Sequence, residues 1–132
     1  MTKLLLDTHV FLWSLLEPQR LAERTAQELE HPDNELWLSP ITIWEVMLLA
    51  EKGRIRLDSA PEAWIEAVLA TIPFKQAPMT HAVAMKSRVI TLPHQDPADR
   101  FLAATAWVYD LTLITADRNL LAAATHFSAM PA

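Results

Sequence analysis

The sequence predicts an α/β protein, a three-layer α/β/α sandwich on a mostly parallel central sheet, and three observations carry that expectation. Short apolar runs of strand length alternate with segments whose apolar residues recur at helical spacing, as when parallel strands are joined by crossover helices. Helix-start signals, Ser39-Pro40 and Asp96-Pro97, open two of those helical segments. The 132 residues, 52% of them hydrophobic and 20% charged, suffice for one real core, so a single domain spanning 1–132 is expected.

The elements follow in order. Lys3 to Leu6 is an apolar run closed by Asp7 and reads as a buried strand. Leu21 to Leu29 has helical spacing, and Leu36-Trp37-Leu38 reads as a second strand. Ser39 then supplies an N-cap and Pro40 a proline at the first helical position, while Gly53 can close that helix. Trp64, Ala67, Val68, Thr71 and Ile72 keep the i, i+3, i+4, i+7, i+8 pattern of a further helix. A short strand is expected near Phe74 and a helix from His81 to about Val89. Asp96-Pro97 starts a helix through Tyr109, Leu111 to Thr115 forms the strand after it, and Asn119 to Ala124 a last helix. Nine prolines and one glycine punctuate the chain; no repeat, low-complexity stretch or dividing linker occurs.

Composition narrows the function classes. No apolar run approaches the roughly 18–20 residues that span a bilayer, and the leucines at 4–6 meet an acid at once, so a cytoplasmic protein without membrane attachment is expected. With no cysteine there is no disulfide framework and no thiolate zinc site. One glycine leaves no room for a phosphate-cradling glycine-rich loop, which excludes P-loop and Rossmann enzymes. The net charge of −5 argues against a surface that attracts nucleic acid everywhere, yet an acidic centre that binds cations offsets its own charge.

Four acids stand out. Ligands of open parallel sheets bind beyond the carboxyl ends of the strands, where Asp7 and Asp117 fall; each equally suits a helix N-cap. Glu45 lies on the same stripe as Ile41, Trp44, Leu48 and Leu49, where a carboxylate is costly unless paired or metal-bound. A buried ion pair is the alternative. Asp99 shares a face with Leu102, Thr105, Ala106 and Tyr109; its alternative is a capping arrangement three residues after Asp96. Were these acids to converge, they would repel one another unless divalent cations neutralised them. Oxygen-only ligands favour Mg²⁺ or Mn²⁺ over zinc, and metal-assisted phosphodiester hydrolysis is the chemistry suggested.

The segments LLLDTHVFLW, SPITIWEV, HQDPADRFLAATA and LITAD, in this order, resemble a PIN domain of the VapC toxin type along nearly the whole chain. The resemblance implies a PIN-like fold and a metal-dependent endoribonuclease, the toxin of a type II toxin–antitoxin pair. It assigns Asp7, Glu45, Asp99 and Asp117 as the acidic metal site and leaves Asp96 as a cap or supporting acid. It also implies a homodimer and a VapB-type antitoxin whose C-terminal segment occupies the acidic groove, an arginine or lysine standing in for the metal. The alternatives are a phosphatase or DNA nuclease using the same acids, and a silent PIN-like binding module.

Other residues admit two interpretations each. His9 and His94 could touch phosphate or relay a proton, or simply be hydrogen-bonded imidazoles; no histidine has HExxH spacing. Trp13, Trp37, Trp44, Trp64 and Trp107 could stack on bases, although core or dimer packing suits most of their positions. Arg100 and Arg118 follow two of the acids and either hold phosphates or pair with carboxylates; Lys52, Arg54 and Arg56 either guide RNA or solvate a helix end.

Overall fold

The computed structural model of the chain describes residues 1–93 and 95–132, so His94 lies outside the described residues. The strands are β1 (Lys3–Leu6), β2 (Glu35–Leu38), β3 (Lys75–Gln76), β4 (Thr112–Thr115) and β5 (Ser128–Pro131). The helices are α1 (Thr8–Leu16), α2 (Glu23–Glu30), α3 (Pro40–Glu51), α4 (Pro61–Thr71), α5 (His81–Val89), α6 (Pro97–Tyr109) and α7 (Arg118–Ala122), with a 3-10 turn at Pro18–Arg20. The strand order is β3-β2-β1-β4-β5, and every pairing is parallel.

β1 is central and apolar on both faces because helices cover both. Leu4 and Leu6 enter one core with Val10 and Phe11 of α1, Val46 of α3 and Ile65 of α4. Leu5, alternating to the other face, joins Leu102, Ala103 and Ala106 of α6, Leu113 of β4 and Leu120 of α7. These two cores, one on each side of the sheet, make the expected three layers. The order also reverses at β1: the chain builds outward through β2 and β3, then returns to place β4 on the opposite side. Such a switch point opens a crevice above the carboxyl ends of the two strands.

The caps fall where the residues ask for them. Ser39 Oγ accepts the N–H of Ile41 at 3.1 Å, and Asp96 accepts that of Asp99 at 3.2 Å. Gly53 follows α3 with φ of +70°, the left-handed conformation a glycine supplies without strain.

Several details differ from the sequence reading. α1, implied only by the capping alternative for Asp7, is a full helix. On α3 the fully buried residues are Thr42 and Val46, and Trp44 is 56% exposed, so Trp44 does not belong to the inward stripe. On α4 Trp64 and Val68 of the inferred stripe pack against the core, but Ile65 is the buried residue while Ala67 and Thr71 are exposed, so the buried face is rotated from the inferred one. β5 is an additional strand beside β4.

Candidate active site

The geometry starts from the loop after β1. Asp7 continues the ladder by donating its N–H to the Ile114 carbonyl at 3.1 Å, then caps α1: its Oδ1 accepts the Val10 N–H at 2.9 Å. Its Oδ2 accepts the hydroxyl of Thr115, the last residue of β4, at 2.5 Å. The same Thr115 oxygen accepts the backbone N–H of Asp117 at 3.0 Å. One fully buried hydroxyl therefore holds the two strand-end acids in register across neighbouring strands. Asp117 in turn caps α7, Oδ1 accepting from Asn119 at 2.8 Å and from Leu120 at 3.3 Å. Capping is thus real for Asp7, Asp96 and Asp117, but it does not stand against a place in the site. A cap at the carboxyl end of a strand aims its carboxyl into the crevice.

Glu45 arrives from α3, on the other side of α1. Its Oε1 accepts the hydroxyl of Thr8, a buried residue directly after Asp7. The expected inward placement holds, although the neighbours on its face are Thr42 and Val46 in place of Trp44; among the described residues no lysine or arginine forms a salt bridge with Glu45. Asp99 projects from the first turn of α6.

These side chains share one cleft of about 370 Å³, lined by Asp7, Thr8, His9, Trp13, Glu45, Asp96, Asp99, Leu102, Ala116 and Asp117. All four predicted acids meet there, with Asp96 as a fifth, and the described lining offers His9 alone as a basic group. The crowding shows in their ionisation. Burial pushes Asp99 up from 3.8 to about 7, helped by the charges of Asp96, Asp117, Asp7 and Glu45. Burial also raises Asp7, against hydrogen bonds from Thr115 and Val10 that favour its charged form. Glu45 is raised by burial too, with the Thr8 hydroxyl opposing.

A hard divalent cation fits this donor set. Its ligands would all be carboxylate and hydroxyl oxygens, with no sulfur available. Among the described residues no three acidic or imidazole groups already form a closed cage.

The remaining residues separate. Arg100 is buried and points away from the acids: Nε donates to the Ser87 carbonyl and Nη2 to that of Ile90, both at 2.7 Å. It therefore neither holds phosphate nor pairs with a carboxylate. It closes the C-terminal end of α5, where carbonyls lack helical partners. Trp13 lines the cleft, whereas Trp37 and Trp107 pack against the α6 core and Trp64 against the α1 core. Arg118 is exposed beside Asp117. Thr8 and Thr115 are the site residues that the sequence reading missed; only their places immediately after Asp7 and two before Asp117 could have signalled them.

Comparison with known proteins agrees with this architecture. The PIN domain family model matches residues 4–125. The chain is 37% identical over 123 residues, 91% of either chain, to "Ribonuclease VapC22" of Mycobacterium tuberculosis. Its fold is similar to that of VapBC2 from Rickettsia felis bound to a promoter DNA fragment, with a TM-score of 0.75, 12% identity and 99% of each chain covered. It is also similar to FitAcB from Neisseria gonorrhoeae, with a TM-score of 0.67, 25% identity and 96% of each chain covered. No helix among the described residues is long and apolar enough to cross a membrane.

Proposed function

This chain belongs to the PIN-domain family, and we propose that it is a metal-dependent endoribonuclease acting as the toxin of a type II toxin–antitoxin pair. One observation carries the proposal: Asp7, Glu45, Asp99 and Asp117, drawn from separate elements, meet in one cleft where burial, with the neighbouring carboxylates adding to it, lifts Asp99 to about 7. The named relative Ribonuclease VapC22 supports RNA as the substrate.

In this proposal Asp7 and Asp99 are the main ligands of Mg²⁺ or Mn²⁺. Asp117 serves a second or weaker ion. When bound, the cation supplies the positive charge that favours attack of water on phosphorus and steadies the departing oxygen. The chain's own groups do the rest. Thr115 locks Asp7 into a fixed rotamer and ties Asp117 to it. Glu45, held by Thr8 and raised by burial, orients the attacking water and accepts its proton. Asp96 secures the first turn of α6 so that Asp99 keeps its position. Residues 1–132 work as one domain in this scheme, in the cytoplasm. A homodimer and a VapB-type antitoxin complete it; the acidic cleft suits an antitoxin cation entering in place of the metal.

The test is direct. Purified chain, freed of antitoxin, should cleave structured RNA with Mg²⁺ or Mn²⁺ and stop in EDTA, and Asp7→Asn should be inactive. Cleavage that persists in EDTA refutes the metal mechanism. In cells, expression should arrest growth and a neighbouring antitoxin should relieve it; equal harmlessness of wild type and Asp7→Asn in the native host refutes the toxin role.

A further inference from the structure

The cleft has an acidic floor, so a polyanionic strand needs cations at the rim to hold it there. The described lining offers only His9. Just outside stands an arginine in an unusual setting. After α1 ends, Glu17 and the 3-10 turn Pro18–Arg20 fold the chain back, fixed by Arg20 N–H to Glu17 O at 3.0 Å and Leu21 N–H to Pro18 O at 3.1 Å. That bend lays the Arg20 guanidinium over the indole of Trp13, 4.3 Å from the ring centroid. Trp13 itself lines the acidic cleft, and the His9 ring lies 6.1 Å from it.

We propose that Arg20, its guanidinium carbon held over the Trp13 ring at the rim of the cleft, is a substrate-binding residue that grips a backbone phosphate of the RNA strand beside the one being cut. The proposal rests on the ribonuclease reading and adds to it the group that offsets the acidic floor. A cation–π contact with the indole uses none of the guanidinium's five N–H donors, whose fork matches phosphate oxygens. The indole also restricts an otherwise flexible side chain, so less freedom is lost when the phosphate docks. Among the described residues the ion pair of Arg20, to Glu17 at 3.4 Å, joins two half-exposed side chains; such a pair is weak and yields to a phosphate. Charge decides between RNA and a peptide here. A tail that enters the cleft with a cation is repelled by Arg20, whereas a nucleic acid strand is attracted.

The experiment measures binding of a short single-stranded oligoribonucleotide of mixed sequence to full-length Asp99→Asn protein in Mg²⁺, across about 50 to 200 mM salt. Adding Arg20→Gln should weaken binding about three- to tenfold, the loss of one charged contact. The slope of log affinity against log salt should become shallower by about 0.7, the single-strand value for one phosphate contact. Arg20→Lys should restore the slope and part of the affinity, and melting temperatures should match throughout, because the side chain is half exposed. In the otherwise wild-type enzyme Arg20→Gln should raise KM more than it lowers kcat. An unchanged salt slope on adding Arg20→Gln, with RNA still bound by the Asp99→Asn protein and cut by the wild type, overturns the role of Arg20 alone. Failure of the Asp99→Asn protein to bind RNA, together with failure of the wild type to cut it, overturns it along with the ribonuclease reading. Weakened binding of a cationic antitoxin peptide with RNA binding intact also overturns it, and assigns the ledge to protein recognition.

Discussion

Asp99→Asn separates a cluster ligand from a helix-end acid, because the two roles predict opposite signs. In the metal-free protein the Asp99 carboxyl titrates near 7, well above 3.8. The folded state thus holds the proton more tightly than the unfolded chain. Stability is therefore greatest at low pH and falls as pH rises from about 3.8 through about 7, where the folded protein must accept the charge. A rise of that size corresponds to about 4 kcal/mol in full. Solvent reaches the carboxyl, and screening leaves about 1–2 kcal/mol. Asparagine removes the charge and keeps the shape, so at pH 8 in EDTA the variant should melt about 3–8 °C higher than wild type. The gap should narrow toward pH 5, where the wild-type group is already protonated when folded. Mg²⁺ reverses the order of gains: binding to the native state stabilises by mass action, so wild type rises with added ion and the variant rises less. Cleavage by the variant should collapse. The measurements are melting curves at two pH values with and without Mg²⁺, beside one RNA assay. An Asp99→Asn protein that melts lower at pH 8 in EDTA, while keeping its metal response and its activity, refutes the reasoning and leaves Asp99 a first-turn acid serving the helix dipole, worth a few tenths to about 1 kcal/mol.

Three further outcomes follow from the packing. Thr115→Val takes away the hydroxyl that donates to Asp7 and accepts from Asp117; stability should drop by about 1–3 kcal/mol and activity more than tenfold, with Thr115→Ser restoring both in urea unfolding and RNA assays. Arg100→Met strips the Ser87 and Ile90 carbonyls of their buried donor and should cost about 2–4 kcal/mol; a melting temperature within a degree or so of wild type would contradict that account. Gly53→Ala meets no atom within 4 Å, so only the strain of φ +70° remains, about 1 kcal/mol by chemical denaturation with activity unchanged.

Much of this architecture was legible because its signals are local. The runs at Lys3–Leu6 and Leu111–Thr115 are apolar since helices bury both faces of the strands, and Ser39-Pro40 and Asp96-Pro97 announce their helices within a few residues. β5 escaped because Ser128-Ala129-Met130-Pro131 has no β-branched residue and ends in proline, which is tolerable only on an edge strand. Trp44 misled because periodicity marks a stripe without saying what covers it. The acids were findable as polar residues in apolar surroundings. Thr8 and Thr115 were not, since their partners lie 37 and 108 positions away and exist only once the sheet is assembled. Arg100 was opaque for a related reason: its acceptors are main-chain carbonyls, which no side-chain pattern reveals.

The tie between Thr115 and Asp7 has a consequence for how the protein is made. Its two ends are 108 residues apart, and β1 can pair with β4 only after both have left the ribosome. At about 5–20 residues per second, translation separates their emergence by about 5–20 seconds. Through that interval the nascent chain carries Asp7 and Glu45 but has no cleft to place them in. The cleft is complete only once β4 lies beside β1, which is also the first moment at which an inhibitor has a shaped groove to enter.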